Sequence, residues 1–296
     1  MTVPGTKPHL AEMIALEWDQ LTSAQQALKS HKIPLTSLTW RANEIQRQDD
    51  ECRRRGEKEG QEISQIRSEI VDTLMRYLDT DTLLFIEADE VEEAGPAERP
   101  VDLSSGDDNS SLSLGYLQKK SAMSVISYLT SNIWWDVSIY LNTRASILPS
   151  KQSAETKARI SHWLSHSLSA YELAGLERAA LATKSLLIAA RLVVEWSPRL
   201  KPPFFDPTQN QIEGLDKMEK ENGIVGAQSD TPSTTSAEAK IPLTPSFGIL
   251  EAADAATVEV RHQISRWGEV EDTHDVDRED LRRQLGSVVC LVSATR

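Results

Sequence analysis

Cysteine is scarce in this chain of 296 residues, which contains only Cys52 and Cys290. The two lie far apart, one in a charged stretch and one in an apolar run, so the sequence offers no disulfide framework and favours a reducing compartment. Long hydrophobic runs are missing as well. The longest, residues 186–194, includes Arg191 and is too short to cross a bilayer. We therefore expect neither a disulfide scaffold nor a membrane-spanning helix.

An excess of basic residues is also absent, since the formal net charge is -13. Nine acidic residues and one basic residue lie between Glu87 and Asp108, so this segment alone contributes -8. A protein that binds nucleic acid or an anionic membrane surface needs a basic face. The one basic run, residues 53–55, is surrounded by Asp and Glu, which is typical of a solvated helix face. We expect neither nucleic acid nor a membrane as a partner.

The sequence also lacks the patterns of known catalytic sites. No glycine-rich phosphate loop follows a predicted strand, and no nucleophile stands beside a patterned histidine. His162 and His166 have the spacing of zinc ligands, but no Glu base lies between them and no third ligand is near. The acidic run 269–277 lacks the glycine and the terminal Glu of a calcium loop. We predict that the protein is not an enzyme and has no metal, cofactor or small-molecule substrate.

Apolar residues recur three and four positions apart along most of the chain, which predicts helices. The predicted fold is mainly α (α+β), a bundle-like helical domain over residues 8–296 with a few short strands, including a C-terminal one. Helices are predicted over residues 8–27, 63–79, 114–132, 151–166, 169–196, 249–267 and 277–284. A further helix is predicted from Pro34 past Ile45 into the charged stretch that follows, and strands are predicted over 82–86, 137–141 and 287–293. Residues 88–112 and 207–243 are polar and rich in Gly, Ser and Pro or in acids, so we predict two disordered insertions.

The stretch from Tyr171 to Trp196 is apolar almost all the way round, which predicts a helix in the core. Counted at 100° per residue, its charges Glu177, Lys184, Arg191 and Glu195 share a stripe about 40° wide. The residues three and four positions from Glu177 are Leu or Ala, so its partner must lie on another helix or on another protein. An internal ion-pair network and a partner-binding groove both remain open.

Six segments, taken in order, resemble the mitochondrial assembly factors of the F-type ATP synthase, the chaperones of its α subunit. These segments are Ala15–Asp19 (ALEWD), Pro34–Thr36 (PLT), Arg76–Thr82 (RYLDTDT), Tyr171–Glu177 (YELAGLE), Lys184–Ser185 (KS) and Trp267–Val276 (WGEVEDTHDV). The resemblance spans about residues 8–293 and leaves the two low-complexity segments uncovered.

The resemblance implies a non-enzymatic chaperone of the mitochondrial matrix that holds the α subunit and prevents its aggregation until the β subunit replaces it. It also implies a β-rich N-terminal domain and a transit peptide, which we expect to be missing from this chain. The predicted partner-binding residues are Glu177, the acid of the Gly-Leu-Glu segment, together with Glu172, Lys184, Arg191 and Trp18. Tryptophan is enriched at binding hot spots, although each of the seven is individually compatible with a core. A helical scaffold or adaptor with a stable protein partner is the alternative.

Overall fold

A computed structural model describes residues 2–59, 63–87, 113–143, 151–200, 247–270 and 273–293. Within these ranges the α-helices are α1 (Pro8–Asp19), α2 (Pro34–Glu59), α3 (Gln65–Asp79), α4 (Leu114–Asn132), α5 (Ala154–His166), α6 (Ala170–Thr183), α7 (Leu186–Trp196), α8 (Ile249–Ala256), α9 (Val258–Trp267) and α10 (His274–Val292). Two short 3-10 helices cover Ala24–Leu28 and Thr82–Leu84. The mainly helical prediction is confirmed. The two predicted insertions, 88–112 and 207–243, lie outside the described residues.

The core is centred on α6 and α7, which have the largest buried fractions among the described helices. Every residue from Leu186 to Val194 is buried, including Arg191. Helix α6 contacts α2, α7 and α10, and ten of its fourteen residues are buried. Gly175 permits the approach of α10, because a Cβ at this position would lie 2.8 Å from Val292 Cγ1 and 3.3 Å from Val288 Cγ1. The absence of a side chain therefore determines how closely these two helices pack.

The single helix predicted over residues 169–196 is wrong, because the chain breaks between α6 and α7. Lys184 ends α6 in the left-handed conformation, with φ 56° and ψ 26°. Ser185 begins α7, and its hydroxyl accepts a hydrogen bond from Ile188 N at 3.1 Å. A serine cap of this kind stabilises a new helix start. The stripe of Glu177, Lys184, Arg191 and Glu195, which assumed one continuous helix, is therefore wrong as well.

The predicted strands are largely replaced by other structure. Residues 287–293, predicted as a C-terminal strand, mostly form the end of α10, because a short apolar run cannot distinguish a strand from a buried helix. Residues 137–141 are irregular, and β2 (Asn142–Thr143) begins directly after them. It pairs in parallel with β1 (Phe85–Ile86), the only part of the predicted strand 82–86 that is extended.

Other predicted helix boundaries also shift, and the helix predicted over 277–284 spans His274–Val292. The first helix ends at Asp19 rather than near residue 27. The helix predicted over 249–267 is two helices that meet at Thr257. By contrast, α4 has the predicted limits, and α3 ends at Asp79, where we expected Asp and Thr side chains to stop it.

Buried polar groups join elements that are distant in sequence. The Lys7 ammonium donates to the carbonyls of Leu291 at 2.8 Å and Val292 at 3.0 Å, so the N-terminal segment caps the end of α10. The Glu17 carboxylate accepts from the backbone N–H groups of Leu35 at 2.8 Å and Thr36 at 2.9 Å. A carboxylate at a helix N-terminus and an ammonium at a helix C-terminus both interact favourably with the helix dipole.

Asp81 makes the most deeply buried of these connections. Its carboxylate is fully buried and accepts from Leu83 N and Leu187 N, both at 3.0 Å. It therefore caps the 3-10 helix and the start of α7 together. Burial raises the pKa of Asp81 to about 6, although these hydrogen bonds act in the opposite direction.

Candidate functional site

Glu177 on α6 forms a two-pronged ion pair with Arg41 on α2. Arg41 Nε donates to Glu177 Oε2 at 2.9 Å, and Arg41 Nη2 donates to Oε1 at 2.8 Å. The Arg41 side chain is 34% exposed and the Glu177 side chain 19%, so the pair lies at the edge of the helix interface. Hydrogen bonding to Glu177 raises the pKa of Arg41 above its usual value. The sequence left open whether the partner of Glu177 lies on another helix or on another protein. In the structure Glu177 pairs with a residue on another helix.

Exposed apolar side chains lie on the two helices that carry this ion pair and on α1. Trp18 Nε1 donates to Thr36 Oγ1 at 2.9 Å, and Trp18 is 48% exposed. Trp40, 60% exposed, is one helical turn after Thr36 and directly precedes Arg41. On α6, Leu181 lies one turn after Glu177 and is 48% exposed. Residues four apart on a helix are surface neighbours. We call Trp18, Trp40, Arg41, Glu177 and Leu181 the α2–α6 surface.

Glu172 lies inside the protein. It is 3% exposed, and with Ser169 it forms a reciprocal capping box at the start of α6. Its carboxylate also accepts from the Ser197 hydroxyl and from the Arg199 guanidinium, which holds the segment after α7. Burial acts to raise the pKa of Glu172. The hydrogen bonds from Arg199, Ser197 and Ser169 outweigh burial, so the pKa is lowered.

Arg191 is another predicted site residue that lies inside. It is 7% exposed and forms an ion pair with Glu195 one turn later, at 2.5 Å. Its guanidinium carbon lies 3.4 Å from the centre of the Tyr128 ring and 5.0 Å from that of Phe247. Stacking on aromatic faces is favourable for a guanidinium with little water around it. Arg191 therefore links α7 to α4 and to the start of α8.

The structure separates the predicted site residues into two groups. Glu177 and Trp18 belong to the α2–α6 surface, and Lys184 is exposed at the C-terminal end of α6. Glu172 and Arg191 lie in internal networks. Sequence reasoning missed Arg41, because it belongs to a strongly charged helix and lies 136 residues from Glu177. The isolation of Glu177 among apolar residues was the one available signal that a partner existed on another element.

The described residues provide no alternative chemistry at this surface. Among them, no group of three or more His, Cys, Asp and Glu side chains is arranged to hold a metal ion. Within the same ranges, none of the helices combines the length and apolar character needed to cross a membrane. The arrangement of tryptophans, a leucine and a half-open ion pair is suited to contact with another protein.

Comparison with known proteins gives consistent results. Residues 1–130 match the family described as ATP12 chaperone protein. "Protein atp12, mitochondrial" of Schizosaccharomyces pombe is 27% identical over 289 residues, covering 98% of this chain and 70% of the relative. "Protein ATP12, mitochondrial" of Saccharomyces cerevisiae is 28% identical over 295 residues, covering 96% of this chain and 70% of the relative.

Two solved structures share the fold. The crystal structure of Atp12 from Paracoccus denitrificans has a TM-score of 0.52 and 13% identity, covering 95% of this chain and 81% of that chain. The crystal structure of Atu1473, a putative chaperone from Agrobacterium tumefaciens, also has a TM-score of 0.52, with 15% identity, covering 96% of this chain and 70% of that chain. At such low identity these likenesses concern the fold alone.

Proposed function

We propose that the chain is an ATP synthase assembly chaperone that binds the unassembled α subunit of the F-type ATP synthase. Residues 1–130 match the ATP12 chaperone family, and the two relatives named ATP12 are similar over nearly the whole chain. In this proposal it covers the apolar surface of the α subunit and prevents its aggregation until the β subunit takes its place. The two curated relatives are named as mitochondrial proteins. We propose the mitochondrial matrix as the compartment, since the catalytic sector is assembled there.

The observation that carries this proposal is the α2–α6 surface. A subunit awaiting its partner exposes a large apolar interface, which aggregates unless it is covered. Trp18, Trp40 and Leu181 offer exposed apolar contacts, and the Arg41–Glu177 pair offers a cation and a carboxylate on the same helices α2 and α6. Tryptophan and arginine are the residues most enriched at binding hot spots.

We assign different roles to the remaining predicted site residues. Lys184 is exposed at the end of α6 and is proposed to contribute to the rim of the contact. Glu172 and Arg191 are proposed to stabilise the fold rather than to contact the partner. Their charges are neutralised inside the protein by Arg199 and Glu195. Their substitution is expected to lower stability first and partner binding only as a consequence.

The test is light scattering of denatured α subunit diluted into buffer with and without the purified chain. We expect equimolar chain to suppress the scattering without ATP, and added β subunit to release the α subunit from the complex. An absolute requirement for ATP, or no suppression at any ratio, would refute the chaperone proposal. A complex that persists after β subunit is added would instead favour the scaffold or adaptor alternative.

A further inference from the structure

The hairpin formed by α9 and the start of α10 buries almost nothing. None of the ten residues of α9 is buried, although the helix contacts α4. In α10 burial begins only at Leu285, and none of the described residues between 258 and 280 is buried. The preceding α8, by contrast, buries Ala252 and Ala253. We call residues 258–270 and 273–280 the arm.

The arm nevertheless carries apolar side chains at its tip. Trp267 is 79% exposed, Val270 59% and Val276 61%. An exposed valine alone is unremarkable, but three large apolar residues within ten positions expose more than a protein surface normally tolerates without a partner. Stability of the fold does not explain them, because they contact little of the core.

The described residues on the two sides of the tip are joined by specific contacts. Gly268 follows Trp267 with φ 87° and ψ 164°, a conformation that essentially only glycine adopts, and it turns the chain out of α9. Val270 N donates to the His274 ring at 3.1 Å, and Arg278 pairs with Glu269 at 2.9 Å across the turn. Residues 269 and 270, directly after the glycine, are therefore held to the first turns of α10.

The charge around these apolar residues is negative. Three of the four nearby arginines are paired with an acid of the same hairpin, Arg278 with Glu269, Arg282 with Glu279 and Arg283 with Asp280. The fourth, Arg266, directly precedes Trp267 and has no acidic partner among the described residues. Within the described residues no ion pair neutralises Asp275 or Asp277, which flank Val276 in the first turn of α10. An open groove beside them is lined by Asp275, Val276, Glu279, Asp280 and Arg283.

From this combination we propose that the arm is a second contact with the α subunit and binds a segment in which apolar residues are flanked by Lys or Arg. This inference rests on the proposed function for the identity of the partner. The chemistry of the segment follows from the arm itself, because apolar anchors at Trp267 and Val276 require apolar partners, and the unneutralised carboxylates beside them favour cations.

The first experiment measures α-subunit binding by a double variant, Trp267→Ser with Val276→Ser. Leu28→Ser is the matched control, since Leu28 is 87% exposed and lies outside the arm. We expect the double variant to bind the α subunit about tenfold or more weakly, and the control within about twofold of wild type, with all melting temperatures unchanged. Wild-type affinity in the double variant would overturn the proposal while leaving the proposed function intact.

The second experiment tests the ligand chemistry without the α subunit. Three synthetic peptides share the same leucine positions, which are flanked by arginine, serine or glutamate. We expect the arginine peptide to bind best, and to bind about fivefold or more weakly after Asp275→Asn with Asp277→Asn. The charge-matched control is Asp72→Asn with Glu155→Gln, two exposed acids outside the arm. Equal binding of the three peptides would refute the basic-segment proposal.

The two experiments distinguish failure of the proposed function from failure of the proposal for the arm. Peptide selectivity without any α-subunit binding would refute the proposed function and retain the ligand chemistry of the arm.

Sedimentation of the chain alone provides a further check. A concentration-dependent dimer that is lost in the Trp267→Ser, Val276→Ser variant would show that a second copy occupies the arm, and would overturn the assignment to the α subunit.

Discussion

The side of α6 that faces α10 is closed, whereas the side that faces α2 is partly open. Toward α10, Gly175 lets Val288 and Val292 pack directly against the helix, and no side chain at that contact is exposed. Toward α2, the Arg41–Glu177 pair remains about one-fifth to one-third exposed, and Trp40, the residue before Arg41, is also exposed. One side of α6 is therefore packed in the core. The other side is partly exposed and carries the ion pair together with apolar residues.

The comparison shows that a charged residue on an apolar helix can be either enclosed in the core or paired at the surface. Arg191 and Glu177 both lie in largely apolar helices, but Arg191 has Glu195 four positions later, whereas Glu177 has only Leu and Ala three and four positions away. Arg191 is enclosed by Tyr128 and Glu195, while Glu177 reaches the surface through Arg41. Burial decides the energetics, because removing one member of an enclosed pair strands a charge, whereas water solvates the remaining member of an open pair.

The largest effect on the free energy of unfolding is expected at Asp81, which is fully buried. Burial raises the pKa of Asp81 from 3.8 to about 6, so the folded state binds its proton more tightly than the unfolded state. Its contribution to stability is therefore fully present below pH 4 and is lost as the pH rises through 6, by roughly 3 kcal/mol in total.

The measurement is urea unfolding of wild type and Asp81→Asn between pH 4.5 and 7.5. Other groups titrate in both proteins, so the informative quantity is the difference between them. We expect the stability advantage of wild type over the variant to shrink as the pH rises. The variant itself loses one acceptor, because an amide oxygen cannot replace both carboxylate oxygens that bind Leu83 N and Leu187 N. A difference that stays constant with pH would contradict the pKa assigned to Asp81.

A smaller effect is expected from Gly175→Ala, which tests the closed side of α6 directly. The new methyl group would lie 2.8 Å from Val292 Cγ1, so α10 must shift or Val292 must leave its position. Overpacking of this kind costs about 2 kcal/mol. Differential scanning calorimetry gives the change in the free energy of unfolding.

Gly286→Ala is the control for Gly175→Ala. Gly286 is also a helical glycine, but a Cβ there would lie 3.7 Å from Ile249 Cδ1, an ordinary contact. Because alanine favours a helix over glycine, this variant should be more stable by roughly 0.5 to 1 kcal/mol. If both variants are stabilised, α6 and α10 do not pack as closely as the structure indicates.

Element limits that carry local signals were predictable, whereas limits inside apolar runs were not. The limits of α4 and the end of α3 follow from local signals, a serine cap at Ser113 and a cluster of Asp and Thr after Leu78. The break at Lys184 could not be seen, because apolar residues continue on both sides of it. The C-terminal strand was wrong for a related reason: a buried helix end and a strand have the same apolar composition.

The candidate site was only half predictable. Glu177 was identified because no residue on its own helix could neutralise it, a local property. Arg41 lies on a helix with many other charged residues, and nothing local distinguishes it from Arg47, whose partners Glu44 and Glu51 are on the same helix. The long-range pairing depends on how α2 packs on α6, which periodicity does not determine.

The smallest effect on stability is expected at the open side, from Glu177→Leu. Arg41 is 34% exposed and can be solvated once its partner is removed, so we expect a loss of about 1 kcal/mol in the free energy of unfolding. Arg41→Leu should cost a similar amount. The double variant should cost less than the sum, since neither charge is then left alone, and the difference measures the coupling.

Partner binding should respond to Glu177→Leu more strongly than stability does. If the α2–α6 surface contacts the α subunit, Glu177→Leu and Arg41→Leu should each weaken binding by roughly 2 kcal/mol, because an interface charge loses its partner. Arg191→Leu is the contrasting control: it removes an enclosed charge, so stability should fall and the folded fraction should bind normally. If Glu177→Leu melts and binds like wild type, the pair is dispensable on both counts, and the open side of α6 is not the contact surface.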